Sequence, residues 1–241
     1  MGKITKIKAI HSDLENSKGS TEEKIDSWTT KPPRSKKELI QILDECYKIS
    51  PILSYTFEFQ AVTGLRYSDA SQIEYNELLD KNGEFKSEIH VIQIKKFNIL
   101  KNKPKYIDNL KLAKRKATIK IAVNDNIKRI VEEVQTFTKD HQYLFSNPKT
   151  LQRADMGKGF APTGIRSANR LLNRVREKLN LSYHLNTHSF RKYFAQSLLE
   201  NGASIAQIRD LLGQDDISST NLYLKTFSDE NSLVAAKVCT I

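Results

Sequence analysis

Cysteine is scarce: Cys46 and Cys239 are the only two in 241 residues. That is too few for a disulfide framework and points to a reducing cytosol. No apolar run approaches the ~20 residues that span a bilayer, and the N-terminus carries no hydrophobic signal core. No membrane partner is therefore expected. Neither a GxGxxG loop nor a GxxxxGKS/T loop occurs, which argues against a nucleotide cofactor. HExxH and CxxC are missing too. His184 and His188 are four residues apart with no acidic base beside them, and Asp215 and Asp216 are neighbours in a turn with no third ligand nearby, so no metal site is expected. Internal repeats and low-complexity blocks are also lacking. Acid is in deficit: 28 Asp and Glu stand against 39 Lys and Arg, a net charge of +11. Such a balance favours a polyanionic partner, nucleic acid before an anionic membrane surface.

What is present divides into an arm and one large domain. Residues 1–34 are polar, lysine-bearing and aperiodic, and Pro32-Pro33 closes them; they are expected to form a basic, flexible arm. Ser35 and Glu38 have the spacing of a capping box before Leu39, Ile40, Leu43 and Tyr47. Ser50-Pro51 opens a second helix, apolar enough through Ile52, Leu53, Tyr55, Phe57, Phe59 and Val62 to be central in the core. Gly64 ends it, which places Arg66 at a helix-to-helix turn with its side chain able to leave the core. From Glu88 the period changes. Residues 89–94 and 118–123 read as strands rich in β-branched residues, and Tyr143-Leu144-Phe145 as a third, short one. Between Lys95 and Lys120 stand ten Lys or Arg, both ends counted, against the single acid Asp108. Asn124 or Asp125 caps a helix with Ile127, Ile130, Val131 and Val134 on one face, and Thr163 opens another. On this last helix Arg166, Arg170, Arg174 and Lys178 recur every four residues, a stripe suited to a phosphate backbone or to plain solvation. The fold class is α+β, mainly helical with a small antiparallel sheet.

The segment from His188 to Tyr223 carries the chemistry. His188 and Arg191 lie one helical turn apart and face the same way. Asn201-Gly202 is a helix stop. Ser204 with Gln207 caps a helix from Ile205 to Leu212, closed by Gly213. Gln214 and Tyr223 follow. Cations, an imidazole, an amide and a phenol on short helices suit a site that cradles a phosphate and attacks it with a tyrosine. An ordinary phenol has a pKa near ~10, so it needs positive charge and hydrogen bonds around the phosphate. Arginine forks supply these at any working pH, and a histidine can donate to the phosphate or take the tyrosine proton.

The order HxxR, LLENGAS, LLGQ and then Tyr resembles the C-terminal signature of the tyrosine recombinase (phage integrase) family. Gln214 lies 23 residues after Arg191, and Tyr223 nine after Gln214, as in that signature. Upstream, TGLRYSDA at residues 63–70 is similar to the family's first arginine motif. The resemblance implies a catalytic set of Arg66, Lys114, His188, Arg191, Gln214 and Tyr223, with no cofactor and no metal. Lys114 enters as the general acid because the family uses a lysine in the turn before its last sheet strand; Lys116 and Lys96 remain alternatives. The position of Gln214 most often holds histidine in the family, and glutamine can position a phosphate but cannot carry a proton. Lys95, Lys96, Arg115, Lys116, Arg166, Arg170 and Arg174 are the candidate DNA-binding residues.

By the same resemblance, residues 35–226 form the catalytic domain and 227–241 a tail that docks either on a neighbouring protomer or on its own domain. The implied function is site-specific cutting and rejoining of double-stranded DNA through a 3′-phosphotyrosyl link, in the cytoplasm. The assembly would be a homo-tetramer on DNA and a monomer free of it, with an accessory bending or clamp protein as a further partner. Two alternatives stay open: a type IB-like topoisomerase, and a catalytically weakened DNA-binding regulator of the same fold.

Overall fold

The computed structural model describes residues 30–138, 141–147 and 161–215. The helix α2 (Pro51–Thr63) is the axis of the fold. Its sequence is apolar on nearly every side, so both faces must be covered. One face packs with α1 (Lys36–Ile49), α9 (Ile165–Lys178) and α10 (Thr187–Glu200) around Ile42, Phe57, Leu172, Val175 and Phe190. Phe57 and Phe190 stack here with parallel rings 4.8 Å apart. The other face packs on β1 (Glu88–Ile92), α8 (Asp125–Thr138) and the short helices α3 (Tyr67–Ala70) and α4 (Tyr75–Leu78), around Phe59, Leu65, Ile89, Ile130 and Val134. Polar side chains on α2 donate to nearby carbonyls: Thr56 and Thr63 to those of Ile52 and Phe59, and Gln60 Nε2 to that of Leu65, while Gln60 Oε1 has no partner among the described residues.

Capping sets the starts. The Ser35 hydroxyl accepts from Glu38 N–H, while the Glu38 carboxylate takes Arg34 N–H rather than closing back on Ser35. The five residues 30–34, placed in the arm by composition, are tied down. Thr30 accepts from Asn186 and Lys192, and Arg34 donates to Ser182 and lies over the Tyr183 ring.

The sheet has two antiparallel strands, β1 and β2 (Thr118–Ala122), running in register from Glu88 opposite Ala122 to Ile92 opposite Thr118. No tight turn joins them. The chain leaves through α5 (Ile94–Leu100), α6 (Pro104–Ile107) and α7 (Leu110–Ala117), a helical excursion with its own small core of Leu100, Ala113, Ala117, Ile92, Phe97 and Tyr106. The first strand is thus two residues shorter than its β-branched run. It stops because Asp69 Oδ1 accepts the N–H of Ile94 and a helix begins there. Two further corrections concern boundaries. Thr163 does not open α9, whose first helical residue is Ile165 after Gly164. Tyr143–Phe145 is not a strand: Tyr143 makes one bridge, to Glu74, and the buried Leu144 and Phe145 lie in a turn held by Leu144 N–H on the Ile73 carbonyl. Three residues with one bridging partner are too few to propagate a ladder.

After α10, Gly202 takes a positive φ of 84° and the chain turns into α11 (Ile205–Leu211), whose capping box of Ser204 and Gln207 is complete. Among the described residues, no helix is long and apolar enough to cross a membrane.

Candidate active site

Two backbone turns meet at one buried side chain. Arg191 is fully buried on the first half of α10; its Nη1 donates to the Gly64 carbonyl at 2.6 Å and its Nη2 to the Leu212 carbonyl at 2.9 Å. Those carbonyls lie two residues before Arg66 and two before Gln214. The guanidinium therefore joins the end of α2 to the end of α11 and sets the spacing of the two side chains that follow. Both turns need glycine. Gly64 has φ +68°, and a Cβ there would meet the Phe194 ring at 2.3 Å; Gly213 has φ +62°, and a Cβ there would meet Gln93 and Ile119 at 2.7 Å.

Arg66 precedes α3 in an extended conformation, partly exposed, with Nη1 4.0 Å from the buried carboxylate of Asp69 and without a hydrogen-bond partner among the described residues. Burial raises the Asp69 pKa, opposed by the Ile94 N–H and by Arg66. Arg66 thus has a charge partner behind it, and its guanidinium also lines a cleft of about 230 Å³, together with Lys95, Lys96, Ile99, Leu100, Lys103, Gly213, Gln214 and Asp215. Four cations face it against one carboxylate. Lys96 Nζ stands 2.7 Å from Asp215 Oδ1 and 3.3 Å from the Gly213 carbonyl.

His188 sits in the first turn of α10, whose N-cap Asn186 accepts His188 N–H. The residue keeps exposed surface, yet loss of water around the ring pushes its pKa below the ordinary range. The charges of Arg191, Arg66, Lys192 and Lys95 push the same way, which shows that these groups share one field. Both effects favour the uncharged imidazole. Asn169 of α9 accepts Thr187 N–H, so the exposed Arg166, Arg170 and Arg174 begin beside the start of α10. Lys178, the last of that stripe, pairs instead with Glu45 at 2.5 Å.

The structure thus brings together Arg66, Lys95, Lys96, His188, Arg191 and Gln214. It does not bring in Lys114, Arg115 or Lys116. These occupy the last turn of α7 rather than a turn before β2, are exposed, and do not line the cleft. Lys103 was missed, although its signal, membership of the lysine-rich run, was in plain view. Gln93 and Asp69 were missed for a different reason: their roles come from burial, which composition does not reveal. Tyr223, Asp216 and the tail lie outside the described residues. Among the described residues, no three or more His, Cys, Asp or Glu gather as a metal site, so His184 and His188 find no third ligand.

Known proteins resemble this chain in sequence and in fold. The chain is 38% identical over 84 residues to "Tyrosine recombinase XerC" of Rickettsia bellii (strain OSU 85-389), covering 35% of this chain and 27% of that protein. It is 31% identical over 90 residues to the XerC of Oceanobacillus iheyensis, covering 37% of this chain and 26% of that protein. The matched region is about a quarter of the length of these relatives. In fold it resembles a lambda integrase dimer bound to a COC′ core site, with TM-score 0.56 and 16% identity over 82% of this chain and 49% of that one. The XerA recombinase is similar at TM-score 0.55 and 16% identity, over 80% and 58%. The sequence pattern of the phage integrase family matches residues 35–230, and the chain belongs to that family.

Proposed function

We propose that this protein is a site-specific DNA recombinase that cuts and rejoins double-stranded DNA through Tyr223. The observation that carries this is the convergence of Arg66, Lys95, Lys96 and Gln214 on one cleft, over Arg191 and beside His188. A scissile phosphate in that cleft would meet the Arg66 guanidinium and a set of ammonium groups, which stabilise charge developing on its non-bridging oxygens. The Tyr223 oxygen forms the bond to phosphorus as the bond from phosphorus to the 5′ oxygen breaks. The phenolic proton passes to the His188 imidazole or to water, and the departing oxygen takes a proton from a lysine. Lys96 is the best-placed acid: its ammonium reaches the turn that carries Gln214, whereas Lys114 points to solvent on another helix. Reversal by the 5′-OH of a second duplex gives strand exchange, and the energy of the broken bond is kept in the phosphotyrosyl link. Two duplexes exchanging in this way call for four copies of the chain.

The test is incubation with a library of nicked duplexes of randomised sequence, followed by denaturing capture of protein-linked DNA. The parent should trap a set of related sequences, and Tyr223→Phe none. A covalent band that persists in Tyr223→Phe overturns the nucleophile; no band with the parent favours a DNA-binding regulator.

A further inference from the structure

Gln93 occupies a position where the strand pattern calls for an apolar residue. Ile89, Val91 and Gln93 are alternate residues on the inward side of β1 and its continuation, and all three are buried, Gln93 completely. Its N–H still pairs with the Ala117 carbonyl at 2.9 Å, one step beyond the ladder. An amide in such a place is costly unless it is bonded, where leucine or methionine would simply fill the space. Gln93 Nε2 donates to the Leu212 carbonyl at 2.8 Å, the same oxygen that receives Arg191. Gly213 lies against the amide so closely that any side chain there would collide with it. On the other flank Gln93 is the residue from which α5 starts, one turn before Lys96 ends up in the cleft. Its Oε1 is buried and has no partner among the described residues.

We propose that Gln93 is a positioning residue that fixes the lysine-bearing helix α5 against the Leu212–Gln214 turn, so that Lys96 and Gln214 approach the phosphate in register. The chain brings these segments together from 119 residues apart, and the amide is their fully buried polar tie, beside the contacts that Lys96 itself makes with Gly213 and Asp215. The proposal rests on Lys96 being the acid that protonates the leaving oxygen. A misplaced acid has a distinctive signature. It slows departure of an alcohol, which needs the proton, and spares departure of a thiolate, which does not.

The experiment uses the full chain and two nicked duplexes drawn from its own captured site, one ordinary and one with sulfur in place of the bridging 5′ oxygen. Gln93→Met keeps volume, and Leu212 O keeps its Arg191 donor. Cleavage of the oxygen substrate should fall by roughly tenfold or more, while cleavage of the sulfur substrate stays within about threefold of parent. The ratio of the two rates is internal to each variant, so partial loss of folded protein cancels. Parent-like rates on both substrates, or equal losses on both, overturn the positioning role. Lys96→Ala run alongside separates the two layers: its rescue by sulfur supports the acid, and its failure to be rescued overturns the acid and the proposal with it.

Discussion

On one side of the cleft, Arg191 and the turn from Leu212 to Gln214 are held by burial; on the other, Lys95, Lys96 and Lys103 stand on a lysine-rich helical excursion with only a small core of its own. The first side is dense with backbone carbonyls accepting from buried donors, and its glycines leave no room for a Cβ. The second has nine Lys or Arg between residues 94 and 117 against Asp108 alone, mostly exposed. Substitution on the first side should therefore show in the fold as well as in the chemistry. On the second it should show in DNA binding, with little effect on the fold.

The largest effect is expected for Arg191→Ala. It empties a fully buried site, takes the donor from Gly64 O and leaves Leu212 O with Gln93 alone. Loss of a buried donor to two carbonyls costs about 3 kcal/mol or more, together with cleavage. A melting temperature within a degree of parent would break the comparison, because Arg191 would then be a cleft residue like Arg66.

Next comes Gly213→Ala, whose Cβ must push into Gln93 and Ile119 at a positive φ. About 1–3 kcal/mol of overpacking and backbone strain is expected, with slower cleavage. Gly202→Ala is the control. Its φ of +84° is as strained, yet nothing lies within 4 Å, so only the backbone part, about 1 kcal/mol, should appear. Equal losses at the two glycines would mean that the contact with Gln93 carries no weight. Both are read by denaturant or thermal unfolding.

How far the sequence reveals this arrangement differs by side. The buried side is legible because its signals are local. HxxR is one helical turn, Ser204 with Gln207 is a cap, and Gly64 and Gly213 mark breaks that the structure makes with positive φ. The excursion is not legible as structure. Periodicity assigns no secondary structure to residues 97–117, and the family resemblance points to a lysine in a turn before β2. Instead Pro104 at a helix start and the Asn109 cap, whose side chain accepts from Leu112 N–H, make short helices that package Phe97, Tyr106 and Ala113. Helices of four to eight residues have too little periodicity to stand out, and they persist through packing. The lysine that reaches the cleft is consequently Lys96 rather than Lys114. Gln93 hid in another way, as a polar residue in an apolar register.

A third prediction concerns the charged side. Lys95→Ala with Lys103→Ala should leave unfolding unchanged, because among the described residues neither shows an ion pair. If each contacts a backbone phosphate, the slope of log affinity against log salt should drop by about 1.8 for the pair. An unchanged slope with weaker binding would place them away from DNA. A lowered melting temperature would show that this side too is held by packing of its lysine stems.

The smallest effect tests the field that spans both sides. Burial, then Arg191, Arg66, Lys192 and Lys95, depress the His188 pKa below its ordinary value of 6.5. The unfolded chain lacks that field, so between the ordinary value and the depressed one it binds more protons than the folded chain does. Stability then rises with pH across this window and is lost as pH falls through about 6.5. His184 and Lys192 are depressed as well, so the parent alone cannot isolate one group. The difference from His188→Gln does, because glutamine keeps polarity and does not titrate. Without DNA, the parent should lose slightly more melting temperature than the variant between pH 7.5 and pH 5.5, by about 1 °C at this chain length. Identical pH profiles would mean that solvent screens the imidazole from the guanidinium groups, leaving the two sides of the cleft electrically separate in the free protein. A variant that is the more acid-sensitive of the two would reverse the sign and place a carboxylate beside His188.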